Sequence, residues 1–440
     1  MRDLVGNEVT ATQAGAEAYD RALKQLLSFR TSVGDAAQHA CDTDPAAAMC
    51  VVLATYLALL SSERCDALAG GERLSAAASL RHGANERELM HFAVADQLLH
   101  GDLLGASATT QSLNRSYPRD ALAVFVGHQI DFFTGASTRL ESRLATVLPS
   151  WSESDDYRGY LQGMWSFGLE ESGEYEKALE IGLTAVDQHS DDAWGIHAVT
   201  HVHEMRGDFE SGITFLNGHA GDWHGGTFLN VHIAWHNALF MLEREDWSQA
   251  LSLYDQFIRH QQSGNIALEM LDASALLWRL HLEGVDVGNR WLSLAEGWKA
   301  KQDESWYVFN DMHAVMSFVA ANRRDQARQV VSRLEEYIQS PNSGTNWRMT
   351  KEVGLPICRA LLHHSEGDFA SAAGELSPVI DSLAVFGGSH AQRDVVHRTY
   401  IDSLSRSGHT DMARRLLEDR ISNRPTSVWA QRRLSSLPKG

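Results

Sequence analysis

Proline is scarce in this chain, with eight residues in 440. Few helix breakers in a sequence rich in alanine, leucine and glutamate point to an all-helical fold. Cysteine is nearly as rare. Cys41, Cys50, Cys65 and Cys358 form no CxxC pair, which argues against a zinc knuckle or a thioredoxin-type motif. Basic stripes are missing too, and the net charge of −19 argues against a nucleic-acid or anionic-membrane partner. The most apolar run, "AAAMCVVLATYLALL" at 46–60, is too short to span a bilayer and predicts a buried helix. The first twenty residues lack a basic start followed by an apolar core, so a cytoplasmic location is expected. There is no GxSxG nucleophile elbow, no phosphate-cradling GxxxxGK[ST] and no strand-linked GxGxxG. Nothing calls for ATP or a dinucleotide.

What the chain does contain is a recurring punctuation mark. A turn residue is followed by an acid, an aromatic and then, five residues after the turn, a small side chain. "GEYEKAL" begins at Gly173, "GDFESGI" at Gly207, "EDWSQAL" at Glu245 and "GDFASAA" at Gly367. Weaker copies begin at Gly101, Gly135, Gly284, Asn322 and Gly408. Gly101 and Gly135 are 34 residues apart, as are Gly173 and Gly207, and later copies are spaced at 38 and 39. A period near 34 signals tetratricopeptide-like helical hairpins, which must stack because one hairpin cannot bury its apolar face alone. The predicted fold is therefore all-α: an α-solenoid of stacked hairpins over residues 91–440, open or closed around a central pocket. Residues 1–90 carry the repeat weakly and are expected to pack on or cap the array.

The repeat supplies a register for "HAVTHVHEM" at 197–205. His197, His201 and Glu204 fall at i, i+4 and i+7 and share one helix face, at positions that would line the groove. Ile196, Val199 and Thr200 fall where helices pack, and His203 is expected to be a packing histidine. The next unit, "NVHIAWHNALF", places His232 and Trp235 toward the groove and His236 at its edge. Asp272, Asn310, Asp311 and His313 follow from later units, and Glu170 from the preceding one. In "FGGSHAQRDVVHR", Ser389 and Gln392 have capping-box spacing. The helix start would bring Arg393, Asp394 and His390 near free N–H groups able to hold a carboxylate or phosphate. The competing expectation is an ordinary cap whose charged side chains pair with their neighbours.

Several long segments, among them "YLQGMWSFGLEESGEYEKA", "DAWGIHAVTHVHEM", "WHNALFMLEREDWSQALSLYD", "FNDMH", "VGLPICRAL" and "GGSHAQRDV", resemble the tetratricopeptide repeat protein 38 family over roughly residues 90–420. The resemblance implies a helical-repeat fold and carries no settled activity with it. It maps the family's histidine-rich motifs onto His197, His201, His203, Glu204, His232 and His236. Where the family pattern has an asparagine directly after the first histidine of the second pair, this chain has Ile233.

Three functions fit these residues. In the first, the groove binds a small polar or anionic molecule and acts on it as a hydrolase or lyase would. His201, beside Glu204, would serve as general base with His197, and His232, Trp235, His236, Asp272, Asn310, Asp311, His313, Arg393 and Asp394 would hold the ligand. No cofactor is then required. In the second, a non-catalytic scaffold binds a peptide. In the third, the two HxxxH pairs ligate zinc or iron, although "HAVTH" lacks the glutamate of HExxH.

Overall fold

The computed structural model of the protein describes residues 1–301, 305–340 and 344–438. Among them there is no strand, and the only extended pairings are two isolated bridges, Arg2 with Glu8 and Arg30 with Thr227. The fold is all-α, with helices that pack chiefly on their neighbours in sequence.

Every turn residue picked out by the repeat adopts positive φ. Gly101, Gly135, Gly173, Gly207, Gly284, Gly367 and Gly408 lie between 61° and 86°, and Glu245 and Asn322 at 62° and 59°. Each closes a helix with the left-handed residue that lets the chain reverse. Among the described residues nine hairpins result, from Glu86–Leu99 with Leu103–Ser116 to His390–Arg406 with Thr410–Asn423.

The acid after the turn has a defined task. The carboxylates of Asp102, Asp246 and Asp368 accept from the amides of Gly105, Gln249 and Ser371, at 2.9, 3.1 and 3.1 Å. They satisfy donors that the start of a helix leaves open. The small residue five places on lets the paired helices approach. Ala106, Ala178, Ala250, Ala327, Ala372 and Ala413 are all completely buried. A Cβ added at Gly212 would sit 2.6 Å from the Phe240 ring. Leu140 and Asn289 are the exceptions at this position.

The chain divides into two compact units. The first comprises Met1–Val199 and His219–Asn230. The run at 46–60 forms the buried helix Ala48–Leu59, as expected. Tyr56 on that helix joins a buried polar cluster with His91, Asp120 and Arg87. Its hydroxyl lies 3.0 Å from His91 Nδ1, His91 Nε2 lies 2.9 Å from Asp120, and Arg87 reaches the same carboxylate at 2.8 Å.

The second unit comprises Thr200–Gly218 and Val231–Gly440. Here the first helices of successive hairpins meet one another. Ala267–Leu282 packs on Val308–Ala320, which packs on Leu355–Ser365. Ala267–Leu282 also meets His390–Arg406 far along the chain. Trp278 Nε1 donates to Thr399 Oγ1 at 2.9 Å, and Arg279 donates to the Ala391 carbonyl at 2.7 Å. Among the described residues no single helix is long and apolar enough to cross a membrane.

Candidate functional site

In the second unit a buried polar centre is built from the part of Ala193–Arg206 that begins at Thr200, from Asn230–Glu243 beyond Asn230, and from Ala267–Leu282. Ile196, Val199 and Thr200 are fully buried, as packing positions should be. That packing fixes the rotation of Ala193–Arg206 and turns His201 and Glu204 into the centre. Glu204 accepts a hydrogen bond from His236 Nδ1 at 2.7 Å, across to the next hairpin. His232 Nδ1 makes the matching 2.7 Å bond to Asp272, one hairpin further on. The two histidines then face each other, Nε2 to Nε2, at 3.3 Å. The ring of His201 lies 4.3 Å from that of His236. The donor nitrogens of His201, His232 and His236 all lie within 4.8 Å of one another.

Against the expected register, His236 is the hub of the cluster, completely buried between Glu204, His232 and His201, whereas His232 is the more open ring, with its side chain 15% exposed. Side chains on a helix lean toward its N-terminus, which carries His236 inward beneath His232. Trp235 closes one side, with its ring 5.3 Å from His232 and 4.9 Å from His236. Burial raises the Glu204 carboxyl above its ordinary value, with Arg424 and His201 opposing the rise.

The sequence reading did not single out Arg279, seven residues after Asp272 on the same helix. Its guanidinium is buried 5.4 Å from the Trp235 ring. Its hydrogen bonds go to the carbonyls of Ala275 and Ala391, and its Nε has no partner. Among the described residues no carboxylate stands within ion-pairing distance of it. Burial drives it down to about 10, with Asp394 pulling in the opposite direction. The available signal was its place two turns from Asp272, on the same helix face.

The other expected residues have the following surroundings. His197, one turn before His201 on the same helix, packs against Phe167 at 5.2 Å and Trp194 at 4.9 Å in the first unit. Glu170 also belongs to that unit, and it is buried. His203 is half-buried beside Phe215, a packing histidine as expected. Asp311 pairs with Arg333 at 2.6 Å, and burial lifts its carboxyl to about 6. Asn310 is half-buried at the start of Val308–Ala320. His313 bonds the Phe309 carbonyl at 2.8 Å, and burial, with Arg279 nearby, lowers it to about 4.

The capping box at Ser389 and Gln392 forms as predicted, with bonds of 3.1 and 3.2 Å. It occupies two of the N–H groups that an anion would need. Arg393 turns back to the Gly388 carbonyl, and His390 is exposed. Asp394 pairs with Arg398 at 2.9 Å and with Arg420. Arg398 and Arg420 both also reach Glu243, which burial would push up but which these arginines hold down at about 2. This closed ion cluster spans more than 150 residues of chain and was invisible to local spacing. Compared with models of known protein families, the chain matches none.

Proposed function

We propose that the buried centre of the second unit binds a small anionic molecule and acts on it, as a hydrolase or lyase does. The observation that carries this reading is Arg279. A buried guanidinium bonded only to carbonyls is a charge without a counterion, and such a charge is costly unless an anion completes it. A carboxylate or phosphate would accept from its open Nε while the rest of the ligand meets the His201, His232 and His236 rings. Histidine moves protons near neutrality, and the carboxylates of Glu204 and Asp272 orient two of those rings. The nine hairpins and the contact of Ala267–Leu282 with His390–Arg406 support reading the fold as a tetratricopeptide-like solenoid turned around this centre. They also fit the resemblance to the tetratricopeptide repeat protein 38 family. A peptide-binding scaffold is less well supported, because His201, Glu204, His236 and Asp272 are each at most 3% exposed, out of reach of an extended peptide.

The test is a thermal-shift screen of small carboxylates and phosphates with the full chain. A ligand that binds the folded state raises the melting temperature by mass action. His201→Ala is expected to abolish that rise while leaving the far-ultraviolet dichroism unchanged. An equal rise in His201→Ala sinks the reading.

A further inference from the structure

We propose that His201, His232 and His236 ligate a divalent transition metal of the zinc type, with Glu204 and Asp272 as its outer carboxylates. This rests on the centre being functional and names its cofactor.

Three observations carry it. First, a tetrahedral zinc site with nitrogens about 2.0–2.1 Å from the metal sets its ligand nitrogens roughly 3.3–3.4 Å apart. His232 Nε2 and His236 Nε2 are 3.3 Å apart, held by two different carboxylates. Second, a carboxylate at Nδ1 draws the ring proton to that side and leaves Nε2 as a lone pair. Both rings are held this way, and in that tautomer the two Nε2 lone pairs would converge on a cation between them. Metal-ligating histidines commonly have such a carboxylate behind them, which fixes the tautomer and raises basicity. Third, the donor set is imidazole without thiolate, and His201 offers a nitrogen within 4.8 Å of those of His232 and His236. Neutral imidazoles favour zinc, cobalt, nickel, copper or iron over magnesium and calcium. The two carboxylates offset the charge of the ion, and Arg279 stays available to an anionic ligand. When bound, such a metal would supply a Lewis acid.

The experiment uses the full chain, stripped with a chelator and titrated with zinc alone and with cobalt(II) alone. One equivalent of each is expected to bind, with cobalt giving the intense visible absorption of a four-coordinate nitrogen site. His236→Gln and His232→Gln should each weaken zinc at least about 100-fold. Asp272→Asn should weaken it about 10–100-fold while keeping the cobalt spectrum, as an outer residue would. His232→Gln serves if His236→Gln does not fold, because the His232 ring is partly exposed.

Failure to bind zinc stoichiometrically overturns the proposal, as does equal zinc affinity in His232→Gln. A proton shared between the two rings, seen as a histidine titration in the stripped protein with no metal uptake, also overturns it. The anion-binding reading fails separately: it stands if a carboxylate or phosphate still raises the melting temperature of the metal-free protein.

Discussion

The two units each bury a histidine against an aspartate, and the two arrangements end differently. In the first unit His91 is closed on both sides, by Asp120 at Nε2 and Tyr56 at Nδ1, and Arg87 neutralises the carboxylate. In the second unit His232 and His236 are each held by a carboxylate, yet their other nitrogens point at each other. The first arrangement satisfies itself. The second brings two imidazole nitrogens to 3.3 Å of each other, the contact on which the metal proposal rests. A buried histidine bonded to an acid is therefore no functional signal by itself. What its far nitrogen faces decides the matter.

The comparison breaks if both centres respond alike to mutation. Arg87→Met should cost about 3–5 kcal/mol in denaturant unfolding, because Asp120 is left as a buried charge short of its cation. His236→Gln in metal-free protein should cost about 1 kcal/mol, since an amide can still donate to Glu204. Equal losses would show the second centre to be structural as well.

Acidity sharpens the contrast with the closed cluster around Glu243. Its folded value of about 2 lies below the unfolded 4.5, so its contribution is full above about 4.5 and is lost as pH falls toward 2. Asp192 has the opposite sign. It caps Ala193–Arg206 through the amide of Gly195 at 3.0 Å, and burial raises its carboxyl from 3.8 to about 8. The folded state keeps a proton that the unfolded chain gives up. Stability from this group is complete below about 3.8 and declines as pH rises through 8. Asp192→Asn keeps the cap, so between pH 6 and 9 the variant should lose less unfolding free energy than the parent. Parallel losses would show that Asp192 does not titrate there.

The smallest expected effects concern single hydrogen bonds. Tyr56→Phe should cost about 1 kcal/mol, and Asp272→Asn in metal-free protein less, because one oxygen of Asp272 already lacks a partner. Chemical denaturation of the two variants side by side checks the order.

Local grammar made the hairpins legible. A turn residue with positive φ, a capping acid and a small contact residue recur within six positions, and each is dictated by backbone sterics. Helix phase likewise placed Ile196, Val199 and Thr200 in the core and His201 with Glu204 on one face. The partners of those polar groups were not legible. Glu204 meets His236 and His232 meets Asp272 across 32 and 40 residues, distances set by how hairpins dock. Asp311 and Asp394 lie on the expected helices but are claimed by arginines from elsewhere in the second unit, Arg333 in one case and Arg398 with Arg420 in the other. Spacing cannot rank such competitors. Arg279 escaped notice because arginine near a helix end is ordinary until its counterion is found missing.

Because the cluster draws on helices from three consecutive hairpins, it has an order of birth. On the metal proposal, a growing chain that has delivered only Ala193–Arg206 would offer an incoming ion nothing firmer than the single unsupported ring of His201. Asp272, the last contributor, leaves the ribosome long after His201, so ion capture would report that three neighbouring repeats have already docked.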